Sequence, residues 1–158
     1  ILNFCTNNDF RLQTLGHFWT LSNVNLILSN YAQKIWPNRT EAQQMLAQYC
    51  SLGALVKISE VDWERLYESP FKRPQEAAQH FLALGAKEVC VTLGGAGCLA
   101  TNKAETFFLP ARKVAVKDTT GAGDSFWSGY LTAWLDGHNL KSRLKKFNRS
   151  ANQAGFQF

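Results

Sequence analysis

Two near-continuous apolar runs, ALVKIS (54–59) and VCVTLG (89–94), constrain this chain most. Each is short and rich in β-branched residues, the pattern of a strand buried on both faces. Between them VDWERLYE (61–68) reads as a short helix, Pro70 and Pro74 punctuate, and QEAAQHFLALGA (75–86) reads as a helix closed by Gly85. Strand–helix–strand units at this spacing imply a mostly parallel sheet covered by helices on both faces, an α/β class. Upstream, VNLILS (24–29) reads as another strand and Trp36-Pro37-Asn38 as a break. TEAQQMLAQYC (40–50) follows as a helix, with Thr40 as N-cap and Ala42, Met45, Leu46 and Tyr49 on one face. Residues 1–23 show no clean period. Downstream, Gly94, Gly95 and Gly97 make a tight turn, CLATN and TFFLPA form a hairpin, and VAVKD (114–118) precedes two helices, 122–136 and 141–155.

Bulk properties narrow the function classes. At 158 residues and 46% hydrophobic content the chain is one domain with a real core, not a disordered segment. Seventeen basic against twelve acidic side chains give a net charge of +5. The densest basic run, Lys141, Arg143, Lys145, Lys146 and Arg149, reads as a solvated helix face, and no nucleic-acid-binding motif accompanies it. Cys5, Cys50, Cys90 and Cys98 form no CxxC pair and read as reduced thiols of a cytoplasmic protein. The stretch Leu12–Gln33 is interrupted by polar residues too often to span a membrane.

In open α/β sheets, ligands bind off the carboxyl ends of the strands. Asp62, Gly94 and Gly121 each follow a strand end, so all three are expected at one crevice. GAGCLA (95–100) matches G-x-G-x-x-A, with Asp118 about 20 residues on, as a dinucleotide-binding oxidoreductase would have. That unit needs a helix after its glycines, whereas CLATNKAETFFL reads as strand and turn. The same glycines suit a hairpin turn, or a loop that lets backbone approach a nucleotide.

DTTGAGDSF (118–126) carries more than a turn or a cap requires. Gly121, Ala122 and Gly123 open the helix 122–136, where free N–H groups and the helix dipole favour an anion. Asp124 beside such a hole has two readings: a base that takes the proton of an attacking hydroxyl, or an acid that favours the positive helix end. No Walker-type G-x-x-x-x-G-K-[ST] is present.

These nine residues resemble the second signature of the ribokinase-like, PfkB-type carbohydrate kinases. TLGGAGCLAT (92–101) is similar to the family's nucleotide-side turn, and SANQAG (150–155) to its adenine-pocket helix. In LVKISEVDWERL (55–66), Ser59 and Asp62 occupy the Asn and Glu places of the N-x-x-E motif, in a fructokinase-like form. The resemblance implies transfer from MgATP to a sugar hydroxyl, with Asp124 as base and Gly121, Ala122 and Gly123 as anion hole. It further implies Asp62 as a magnesium holder through water, and Thr92, Gly94, Gly97 and Asn152 as nucleotide neighbours. Asp118 and Thr120 become candidates for a monovalent cation such as potassium. The small-molecule partner would be a sugar, with neither nucleic acid nor membrane involved.

The likeness runs from about residue 52 to 158 and fades over 1–51, where Tyr31 and Gln33 replace the usual Asp and Asn. Family members are about twice this length, with a sugar-binding signature and lid in their amino-terminal half. The expectation is therefore a single partial domain over 1–158, cut at both ends, that keeps the ATP side and the base. Sugar kinase and nucleotide-binding remnant without turnover both stay open at this point. A sheet that has lost neighbouring strands would also associate, giving a homo-oligomer.

Overall fold

The computed structural model describes residues 19–21, 24–28, 34, 37–111 and 121–145. Within them the chain builds a six-stranded sheet whose strands stand in sequence order. These are β1 (Trp19–Leu21), β2 (Val24–Leu28), β3 (Leu55–Ser59), β4 (Glu88–Thr92), β5 (Gly97–Asn102) and β6 (Thr106–Pro110). β2, β3 and β4 pair in parallel. β1 joins β2, and β5 and β6 extend β4, in antiparallel fashion. The α/β class holds, with the parallel pairing concentrated at the centre and hairpins widening both sides. β1 escaped sequence reading because three residues cannot display a period.

Helices α1 (Arg39–Ser51), α2 (Glu60–Tyr67), α3 (Pro74–Ala83) and α4 (Ala122–Leu135) flank the sheet. α1 is capped by Asn38, whose side chain accepts from the Glu41 N–H, and not by Thr40 as expected. Asn38 lies after Pro37 in extended backbone, so its carboxamide reaches the third residue on, where a cap acts. α3 starts at Pro74, where a missing N–H is harmless.

Side-chain parity divides the core into two. Val56, Ile58, Val89, Val91 and Leu99 face α1 and α3, packing on Leu46, Cys50, Ala77 and Phe81. Leu55, Cys90, Cys98 and Ala100 point the other way, onto Phe126, Trp127 and Tyr130 of α4. Helices thus cover both faces, because alternate strand residues point to opposite sides.

The expected solvated basic face is corrected at Arg143. Its guanidinium reaches the buried Glu88 carboxylate at 2.7 and 2.9 Å, and Tyr130 donates its hydroxyl to the same carboxylate. Arg143 faces inward because Glu88, on the α4 side of β4, would otherwise be an uncompensated buried charge. Burial pushes the Cys50 and Cys98 thiols up to about 12, and Cys90 is likewise raised, so the three free cysteines described are protonated and inert. Cys5, VAVKD (114–118) and the part of the expected helix 141–155 beyond residue 145 lie outside the described residues. No described helix is long and apolar enough to cross a membrane.

Candidate active site

Parallel pairing of β3 and β4 sets Ser59 opposite Thr92, so the segments that follow both strands leave the sheet side by side. After β3 the chain turns straight into α2. Ser59 caps it: its hydroxyl accepts from the Asp62 N–H at 3.1 Å and donates to Asp62 Oδ2 at 2.5 Å. That exchange fixes Asp62, a carboxylate only 6% exposed, in the first turn of α2. Burial raises the Asp62 carboxyl above its ordinary range, while the Ser59 hydroxyl and the Lys57 charge oppose the rise.

After β4 the chain makes one 3-10 turn, Gly94–Ala96, and returns as β5. This geometry excludes a dinucleotide-binding unit at GAGCLA, since a strand follows the glycines. Gly94 is exposed with open space beside it. Gly97 is different. It holds φ +121°, and a Cβ there would lie 2.8 Å from both Ala111 N and Pro110 Cα, and closer still to the Leu109 carbonyl. Its hydrogen faces β6, so its smallness serves the hairpin.

Gly121 caps α4 in the left-handed region at φ +76°, and the first helical bond runs from Ser125 N–H to Gly121 O. The N–H groups of Ala122, Gly123 and Asp124 precede that bond and lack an intrahelical acceptor. Asp124 is exposed in the first turn. Asp118, Thr120 and Asn152 lie outside the described residues.

One residue was missed by the sequence reading. Lys57, mid-strand in β3 and 3% exposed, lies on the α4 side of the sheet with its register partner Cys90. A Cβ on Gly123 would lie 3.1 Å from Lys57 Nζ, so the ammonium reaches the first turn of α4. Burial lowers its pKa, and the charges of Asp62 and Asp124 pull against that shift, in that order. Lys57 thus lies within the influence of both acids, Asp62 and Asp124. A single charge inside an apolar strand was the available signal.

The arrangement offers a helix N-terminus for an anion, a buried cation beneath it, an exposed carboxylate beside it and a buried carboxylate across from it. Among the described residues no cluster of three or more metal-ligating side chains exists. One carboxylate nonetheless suits magnesium, which takes few protein ligands and completes its shell with water and phosphate.

Known proteins resemble this chain over most of its length. An ATP-dependent 6-phosphofructokinase of Thermoanaerobacterium thermosaccharolyticum is 35% identical over 116 residues, which is 73% of this chain and 35% of that protein. The aminoimidazole riboside kinase of Salmonella typhimurium is 32% identical over 127 residues, 80% of this chain and 37% of the enzyme. The crystal structure of the Salmonella enterica aminoimidazole riboside kinase, complexed with aminoimidazole riboside and an ATP analog, superposes with a TM-score of 0.67 at 29% identity, over 82% of this chain and 43% of that one. The chain thus spans well under half the length of these relatives, and its α/β fold is ribokinase-like. The model of the pfkB family carbohydrate kinases matches residues 16–154, and the chain belongs to that family.

Proposed function

We propose that this chain carries the nucleotide side and the general base of an ATP-dependent sugar kinase. The observation that supports it most is the convergence of Gly121–Asp124, Lys57 and Asp62 at the carboxyl ends of β3 and β4. In this reading the acceptor hydroxyl lies against Asp124. Its oxygen attacks the terminal phosphorus of ATP, its proton passes to the Asp124 carboxylate, and ADP leaves in line. The N–H groups of Ala122, Gly123 and Asp124 receive the charge that builds on the moving phosphoryl group. Asp62 would hold magnesium through water; bound there, the ion would neutralise phosphate charge. Thr92 and Gly94 border the nucleotide at the end of β4, and Asn152 completes the adenine side. Asp118 and Thr120 would hold potassium or another monovalent cation. Gly97 borders the nucleotide with Thr92 and Gly94 and shapes the turn, its Cβ direction being filled by β6 backbone.

The test is Asp124→Asn in the full-length polypeptide, assayed for sugar-dependent ADP formation and for MgATP binding. Asn keeps the size and cannot accept the proton. Turnover should fall roughly 10²–10⁴-fold with nucleotide affinity unchanged. A purely dipolar role predicts instead a stability change below ~1 kcal/mol and full activity; wild-type turnover would remove the assignment.

A further inference from the structure

We propose that Lys57 forms the charged floor of the phosphoryl site, its ammonium contacting from below the phosphate that the first turn of α4 receives; this rests on the kinase reading above. Three observations carry it. First, Lys57 is 97% buried by its 3% exposure, yet the ion pairs among the described residues are Arg39–Glu68, Arg73–Glu76 and Arg143–Glu88, and none takes it. Among the described residues its ammonium makes no hydrogen bond, and only Trp127 Nε1 is a sealed side-chain nitrogen or oxygen without a partner, so Nζ keeps some contact with solvent at the helix start. Asp62 and Asp124 act on it only as longer-range charges. A cation held on a buried stem, with its head free of a bonded partner and open toward a helix start, is placed to receive an anion.

Second, the ammonium stands at the wrong end of a helix for stability. α4 runs fourteen residues, and cations are favoured at the carboxyl end, not at the amino end where Lys57 lies. Helix dipole and ammonium repel each other in the empty fold, and both attract a phosphate placed between them. Third, Gly123 keeps the space open. The 3.1 Å separation of Nζ from a Cβ at that position means that any side chain there would press on the ammonium. Lys57 and Gly123 therefore act as a pair: one supplies charge and the other lets that charge reach the turn.

The discriminating variant is Lys57→Met, which keeps the stem and removes the charge. Calorimetry with MgATP and with adenosine should show MgATP weakened at least tenfold and adenosine unchanged. The ligand-free variant should melt no lower than wild type, because a charge that opposes the α4 dipole has gone, while MgATP should raise its melting temperature less. MgATP affinity within twofold of wild type overturns the proposal. So does a Lys57→Met protein that fails to fold, since the ammonium would then be holding Asp62 and Asp124 together structurally. If wild type binds no MgATP, the kinase reading falls, and inorganic pyrophosphate decides the matter: binding lost in Lys57→Met supports Lys57 as the anion contact, and no binding by wild type overturns it.

Discussion

Gly97 shows how a residue of one family pattern can answer to a different demand. In sequence it belongs to the glycine turn beside a nucleotide. In the structure, β6 backbone fills the direction in which its side chain would grow, and its φ of +121° is one that only glycine adopts without strain. Gly97→Ala should cost about 3 kcal/mol, from backbone strain and the displaced hairpin together. Urea unfolding measures it; a variant as stable as wild type would mean that β6 can move aside freely. The start of α4 was legible for the opposite reason: glycines and an acid ahead of an apolar run mark a helix N-terminus, and the helix begins at Ala122. Lys57 was hard to read because its meaning lies across space, in a glycine 66 positions later, and its one local mark is a charge inside an apolar strand.

At the scale of elements, the runs ALVKIS and VCVTLG were readable because both faces of β3 and β4 are covered, which makes the strands apolar throughout. Glu88 interrupts that apolarity and is answered from far along the chain by Tyr130 and Arg143. These contacts pin the segment after α4 to the sheet. Arg143 also donates to the His138 carbonyl at 2.5 Å, closing the turn between the two helical segments. Arg143→Met should destabilise by roughly 3–5 kcal/mol, since it strands the Glu88 carboxylate in the core. Adding Glu88→Gln should return much of that loss. If the double variant in thermal melts is no better than the single one, the pair is not the reason for the loss.

The whole molecule should respond to acid through His80. Its Nε2 lies 2.9 Å from the Tyr67 hydroxyl, within an aromatic group that includes Trp63 and Phe81 and joins α2 to α3. Burial holds the imidazole below its ordinary value of 6.5. The unfolded chain therefore takes up the proton first. Stability from this group is complete above 6.5 and declines as the pH falls from there toward the depressed folded value. Melting curves at descending pH should show a slope in wild type that His80→Gln lacks. Two coincident slopes would mean that this imidazole titrates as it does in water.

The division of the sheet into two cores also sets a rhythm for inherited variation. On β3 the odd-numbered positions, Leu55 and Lys57, belong to the α4 side, and the even-numbered Val56 and Ile58 to the other. On β4 the phase reverses: Cys90 faces α4, whereas Val89 and Val91 do not. A catalogue of variants along these strands should therefore set Lys57 apart from its neighbours, since Leu55 and Cys90 on the same side belong to a core as well. Changes at Val56, Ile58, Val89 and Val91 should lower the amount of folded protein while leaving each surviving molecule competent. Changes at Lys57 should do the reverse, leaving abundance intact and the molecules silent. An abundance assay run beside a binding assay would show the two records in step along both strands except at Lys57.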